Sequence, residues 1–289
     1  MLNWKEVLAW KFDDAPQSYT ARDAMLYALG LGYGQDPMDE NALRYVYEAH
    51  GLGQAVVPSL AVVLGGPGAW MRDARTGIDW VRSLHGEQGL IMHAPLPAEA
   101  HVIGRNRVTD IIDKGPGKGA LLLMERDIVD AAAGKLLATR TSSSFLRGDG
   151  GCGAPPRDQV KPEAMPTRAP DLVQRLAIRP EAALLYRLSG DYNPVHASPA
   201  IARKAGFERP ILHGLCTFGM ACRALLATVC GNDTSRLKSM GGRFSAPVYP
   251  GDTLAVQVWD EPGGNIRFRV RVEERDITAF DFGQARLVA

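Results

Sequence analysis

Leu215-Cys216-Thr217-Phe218-Gly219-Met220-Ala221-Cys222-Arg223-Ala224-Leu225-Leu226-Ala227-Thr228-Val229-Cys230, closed by Gly231, is apolar almost all round a helical repeat, with Arg223 its one charged residue. A helix without a polar face has to be buried on every side. Strand-like runs follow it at residues 242–248, 253–260, 266–274 and 283–288, and Glu261-Pro262-Gly263-Gly264-Asn265 between the second and third is a hairpin signal. One buried helix followed by antiparallel strands predicts an α+β unit in which the sheet curls around the helix. A short helix over residues 181–188 leads into this unit.

The N-terminal half reads on the same plan with a weaker helix. Residues 40–50, ending at Gly51, are shorter and more charged than the C-terminal helix, which predicts space beneath their sheet. Strand-like runs follow at 56–64, 76–84, 89–94, 101–112, 120–130 and 135–145. Met25-Leu26-Tyr27-Ala28-Leu29-Gly30-Leu31-Gly32-Tyr33 lines up with Leu184-Leu185-Tyr186-Arg187-Leu188-Ser189-Gly190-Asp191-Tyr192. Further on, Ile91-Met92-His93-Ala94-Pro95 lines up with Arg243-Phe244-Ser245-Ala246-Pro247. The preserved order indicates a duplication, with Gly32 standing where the second copy has Asp191. Residues 146–170 hold Gly148, Gly150, Gly151, Gly153, Pro155, Pro156, Pro162, Pro166 and Pro170 and read as a linker. The expected division is an N-terminal lobe over 1–150, a linker over 151–170 and a C-terminal lobe over 171–289.

Composition narrows the function classes. In a chain of 289 residues, 33 basic side chains face 32 acidic ones, which gives no electrostatic case for nucleic acid or an anionic membrane. No apolar run reaches the length of a membrane span, and Met1-Leu2-Asn3-Trp4-Lys5 does not open a signal peptide. The four cysteines, Cys152, Cys216, Cys222 and Cys230, make neither a metal ladder nor a disulfide framework; reduced thiols and a cytoplasmic location are expected. His85, His93 and His101 recur evenly, but the outer two would be roughly 50 Å apart on an extended strand and neighbours about 26 Å, too far for one ion.

The chemistry is concentrated in Ser189-Gly190-Asp191-Tyr192-Asn193-Pro194-Val195-His196 and Glu208-Arg209-Pro210-Ile211-Leu212-His213-Gly214. Gly190 and Pro194 make the first segment a rigid turn, on which Asp191 and His196 can converge on one water while Asn193 holds the turn or the water. Gly214 opens the apolar helix, so its N–H belongs to the unpaired first turn, where the dipole favours negative charge. A base, an acid and an oxyanion donor are what addition of water to an α,β-unsaturated thioester requires. His213, just before the helix, reads by itself as a satisfied buried histidine.

Together these residues closely resemble the signature of the hydratase-2 family of MaoC-like enoyl-CoA hydratases, Gly-Asp-Xaa-Asn-Pro-Xaa-His followed by Arg-Pro-Ile-Xaa-His-Gly. The resemblance extends over nearly the whole chain: Ser18-Tyr19-Thr20-Ala21-Arg22-Asp23-Ala24-Met25-Leu26-Tyr27-Ala28-Leu29-Gly30, Leu84-His85-Gly86-Glu87-Gln88 and Asp113-Lys114-Gly115 look like the two-lobed hydratase-2 domain of peroxisomal multifunctional β-oxidation enzymes. It implies a double hot dog, two repeats each with a sheet wrapped around a helix. It also implies hydration of trans-2-enoyl-CoA to (R)-3-hydroxyacyl-CoA by a hydro-lyase that needs no metal and no other cofactor, coenzyme A being part of the substrate. Asp191, Asn193 and His196 would be catalytic. Gly214 would bind the thioester oxygen, and His85, Gly86, Lys114, Tyr192, Pro194, Val195 and Phe244 would contact the acyl-CoA. The N-terminal lobe would be an inactive copy lending acyl and CoA contacts, with an acyl-chain tunnel in the space left by its short helix. A homodimer is expected, with no nucleic-acid or membrane partner. The C-terminal Arg286-Leu287-Val288-Ala289 does not resemble a peroxisomal Ser-Lys-Leu address. The alternatives are a dehydratase acting on 3-hydroxyacyl-CoA or an acyl carrier protein, and a non-catalytic acyl-CoA binder on the same scaffold; a pure binder has no chemical need for the dyad.

Overall fold

The computed structural model describes residues 1–155, 157 and 161–288. A short helix α1 (Trp4–Leu8) and strand β1 (Ala15–Tyr19) precede helix α2 (Ala21–Gly30), which opens on a capping box between Thr20 and Asp23. After α3 (Glu40–Leu43), the strands β2 (Ser83–Met92), β3 (Ala100–Asp113), β4 (Ala120–Asp130) and β5 (Leu136–Leu146) complete the first half. The second half runs through β6 (Leu172–Ala177), α4 (Ala182–Tyr186), α5 (Pro199–Lys204), α6 (Gly214–Thr228), β7 (Leu237–Phe244), β8 (Thr253–Glu261), β9 (Asn265–Val272) and β10 (Ile277–Leu287). The described residues between β5 and β6 form no helix or strand. The expected linker also covers Pro156 and residues 158–160, which lie outside the described residues.

All the strands join one ten-stranded antiparallel sheet in the order β1-β3-β4-β5-β2-β7-β10-β9-β8-β6. From either edge inward, the halves repeat one pattern: first, third, fourth, fifth and second strand. The duplication read from short sequence matches is therefore also a duplication of topology, and the copies meet where β2 pairs with β7 through Glu87↔Arg243 and Gly89↔Gly241. The sheet curls around α6, whose Cys216, Phe218, Ala221, Cys222, Ala224, Leu225 and Leu226 are fully buried. The repeat-related helices α2 and α4 pack at the same centre, with Tyr27 and Tyr186 rings 5.6 Å apart. The chain is thus a double hot dog.

Four expectations about elements need correction. The helix expected over residues 40–50 stops at Leu43. Tyr45, fully buried, instead packs its ring tilted against Tyr33 at 4.4 Å and donates its hydroxyl to the Asn232 carbonyl at 3.2 Å. The run at 56–64 is not a strand: Pro58–Val63 forms a 3₁₀ helix whose residues 58–62 are all buried. Pro58 has no N–H for a ladder but suits a helix start. This buried helix lies under the N-terminal sheet, where the acyl-chain tunnel was expected, with Tyr27 and Tyr45 also fully buried. Residues 76–82 likewise turn before β2 begins at Ser83, since Gly77 at φ +63 interrupts any extended run. Finally, the strand expected over 242–248 lies earlier, at Leu237–Phe244, because Pro247 cannot donate to a ladder.

Candidate active site

Gly190, at φ +116, ends the turn Arg187–Ser189 in a conformation glycine adopts without steric cost and delivers the chain to Asp191. Asp191 Oδ1 then accepts the Asn193 N–H at 3.1 Å, and Asn193 Oδ1 accepts the Val195 N–H at 3.2 Å, capping the 3₁₀ turn Pro194–His196. Asn193 is thus a scaffold of the turn. Asp191 is exposed, whereas His196 at the end of the turn is only 8 % exposed.

Hydrogen bonds fix the histidine tautomers. His196 Nδ1 lies 2.9 Å from the Ile211 carbonyl. A carbonyl only accepts, so Nδ1 carries the proton and Nε2 keeps its lone pair. By the same argument His213 donates its Nε2–H to the backbone carbonyl of Asp191 at 3.1 Å. The two rings stack, centroids 3.7 Å apart and planes at 26°. Burial pushes the His196 pKa below its ordinary 6.5, against the bond to Ile211 and the Asp191 charge, which pull it up. His213 is pushed down to about 4, first by burial and then by the neighbouring His196. Both imidazoles are therefore neutral at pH 7.

The donor atoms of Asp191, His196 and His213 lie within 4.8 Å of one another, close enough to raise the question of a metal. Stacking answers it. Imidazole lone pairs lie in the ring planes, and two nearly parallel planes do not aim them at one tetrahedral centre. The arrangement suits a bound water or reacting carbon better than a cation.

Helix α6 begins at Gly214 with His213 as its N-cap residue and no side-chain cap bond. A Cβ on Gly214 would lie 3.2 Å from the Phe244 ring, and that ring lies 4.8 Å from His85 on β2. Phe244 thereby links the helix N-terminus in the C-terminal lobe to His85, a half-buried histidine of the N-terminal lobe. The His85 pKa falls to about 3, by burial first and then by the Arg140 charge. Gly86 sits at the register shift between His85 and Glu87.

The other expected contacts lie further out. Lys114 opens the β3–β4 turn, its N–H bonded to the Gly119 carbonyl at 3.1 Å and its ammonium 5.4 Å from the Phe145 ring. Phe145 in turn pairs with Leu84, beside His85. Tyr192 and Pro194 are exposed on the catalytic turn, Tyr192 under the Arg187 guanidinium at 4.8 Å, and Val195 is partly covered. A cavity of about 250 Å³ adjoins His196, lined by Pro180, Ala183, Leu184, Ala197, Arg209 and Pro210. The larger trough, about 750 Å³, follows the β2–β7 joint and contains none of Asp191, His196 or Gly214. The fold thus sets Asp191, Asn193 and His196 on one turn beside His213, and Phe244 and His85 beside Gly214, while Lys114 lies on the β3–β4 turn against Phe145.

Two participants were not legible as such in the sequence. His213 touches both the turn and His196; its signal was its place in the Arg-Pro-Ile-Xaa-His-Gly signature, directly before Gly214, which by itself gave it no role. Tyr186 lies with its ring 5.1 Å from His213 and its hydroxyl buried without a partner among the described residues; it had the look of an ordinary core residue.

Comparison with known proteins agrees with this geometry. The MaoC like domain matches residues 161–279, and the MFE-2 hydratase 2 N-terminal domain matches residues 17–148. The chain is 39 % identical to 3-hydroxyacyl-thioester dehydratase Y of Mycobacterium tuberculosis, over 89 % of this chain and 88 % of that one. It is 37 % identical to the peroxisomal enoyl-CoA hydratase 2 of Arabidopsis thaliana, over 94 % and 91 % of the two chains. The crystal structure of a MaoC-like dehydratase from Phytophthora capsici superposes with a TM-score of 0.87 at 33 % identity, covering 98 % of each chain. With such similarity along nearly its whole length, the chain belongs to the MaoC-like hydratase 2 family.

Proposed function

We propose that this protein is a hydro-lyase of fatty acyl-CoA metabolism that adds water to trans-2-enoyl-CoA to give (R)-3-hydroxyacyl-CoA. The observation that carries the reading is the cluster of the Asp191 carboxylate with ring nitrogens of His196 and His213 within 4.8 Å, His213 being the residue directly before Gly214, which begins α6. The thioester oxygen accepts the Gly214 N–H, and the helix dipole stabilises the charge it gains. Asp191, which is exposed, takes a proton from the water as its oxygen bonds to C3; the electron pair moves to the thioester oxygen. His196 holds that water by accepting its other hydrogen at Nε2, and the proton now on Asp191 is delivered to C2, which closes the enolate and restores the carboxylate. The sum is H on C2 and OH on C3. The (R) configuration rests on family membership.

The same groups catalyse the reverse dehydration by microscopic reversibility, which agrees with the dehydratase name of the M. tuberculosis relative. The reading also includes a homodimer, tested by sedimentation, and a cytoplasmic location, tested by fractionation. No helix among the described residues is long and apolar enough to cross a membrane. The deciding experiment follows the enoyl-thioester absorbance with crotonyl-, decenoyl- and branched enoyl-CoA and determines the configuration of the product. Loss of absorbance with an (R) product is expected; no reaction with any of these thioesters, or an (S) product, would overturn the reading.

A further inference from the structure

His213 has more contacts with the catalytic groups than a packing residue needs. It is 1 % exposed, stacks on His196 at 3.7 Å and donates Nε2–H to the Asp191 carbonyl at 3.1 Å. Its backbone caps the helix that Gly214 opens. One residue therefore touches the residue that carries the base and the residue that holds the water through its side chain, and the start of the oxyanion donor through its backbone.

Its other nitrogen is equally informative. Nδ1 is buried with no hydrogen-bond partner among the described residues. A buried acceptor left unmatched costs free energy, and a hydrophobic side chain there would avoid the cost. Tyr186, at 5.1 Å, covers the ring without relieving Nδ1. Retention of an imidazole against this cost is explained by the Nε2–H bond, since phenylalanine could supply the stack but not the donor.

We infer that His213 is a positioning residue for the hydration reaction: its Nε2–H holds the Asp191 turn while its ring holds His196 in plane, so that the carboxylate and the Nε2 of His196 face one water. The inference rests on the hydratase reading and adds a residue to it. The groups facing the ring are Asp191 and His196 from the catalytic turn and Tyr186 and Arg187 from the segment before it. All act on a neutral imidazole, for burial and the neighbouring His196 keep its pKa low.

The test compares His213→Gln, which retains an N–H donor, with His213→Phe, which retains the flat ring alone. The full-length chain is assayed with crotonyl-CoA, and rates are normalised to sites counted with an unreactive acyl-CoA analogue. The Phe variant should lose about 10- to 100-fold in kcat, the size of a misplacement of roughly 1 Å, and the Gln variant should recover most of it. Melting temperatures should rank the other way, Phe at or above Gln, because Phe is the better buried residue. A Phe variant as active as wild type, or activities that follow melting temperature, would overturn the inference. Should the Phe variant not fold, His213→Met takes its place under the same criteria. An inactive wild-type protein would instead refute the hydratase reading itself.

Discussion

Asp191 is exposed whereas His196 is buried, a difference that suits the separate roles proposed for them. A carboxylate can take a proton from water and release it to C2; a buried neutral imidazole can hold one water in a fixed direction. Asp191→Asn and His196→Gln should therefore each lower kcat by at least about 10²-fold, with substrate binding and fold retained. Because both act on one water, the double variant should lose much less than the product of the single losses. Steady-state rates and a binding isotherm check this, and near-wild-type turnover in either single variant would contradict the roles. The histidines also predict an acid limit. His85, His196 and His213 have pKa values lowered from 6.5 by burial, His85 to about 3 and His213 to about 4. The unfolded chain binds those protons near 6.5 and the folded chain only at lower pH. Stability should thus be complete above about pH 6.5 and decline as the pH falls toward 4. Urea midpoints should drop over that interval, and His85→Leu should flatten the slope.

The element that most changes the expected picture is the Pro58–Val63 3₁₀ helix. It packs against β2, β5 and α6, the place where a long N-terminal helix would otherwise lie. Its exit is held by Arg126, which donates to the Leu64 carbonyl at 2.7 Å and to Asn106 Oδ1 at 2.8 Å. Leu60, 3 % exposed within this segment, fills the concave side of the sheet. Leu60→Ala should therefore cost about 2–4 kcal/mol, the range for a large-to-small change in a packed core. Urea denaturation reads it as a lower midpoint with an unchanged m-value; a cost below about 1 kcal/mol would mean that the segment is loosely seated and that the space beneath the sheet is available to ligand.

The whole molecule carries two copies of one topology but a single dyad. Where the second copy places Asp191, the first has Gly32, and a Cβ there would lie 2.8 Å from the Arg223 guanidinium. That guanidinium donates to the Leu31 carbonyl at 3.0 Å and lies over the Tyr33 ring. The first copy's position is thus occupied by a side chain from α6. Titration with an unreactive acyl-CoA analogue should saturate at one ligand per chain. Lys114→Ala should weaken binding of the CoA portion if the N-terminal lobe lends contacts to the C-terminal site. Residues 170–289 expressed alone should be inactive, lacking His85 and the strand that pairs with β7. Two equivalent ligands per chain, or full activity of that half, would contradict the division of labour.

By itself the sequence determined the elements whose signals are local. Helix α6 was legible from an apolar circumference, β4 and β8 from short runs bounded by turn residues, and the catalytic turn because Asp191, Asn193 and His196 are near neighbours in the chain. Where the outcome depended on what covers a segment, sequence alone misled: an apolar run such as residues 56–64 serves as strand or buried helix equally well, and the 40–50 helix gave way to the packing of Tyr45. Only the tertiary structure decided that β2 pairs with β7, that Phe244 links Gly214 to His85, and that His213 stacks on His196. Those contacts join residues distant in the chain, and their free energy exists only once the sheet has curled around α6 and brought both lobes to one centre.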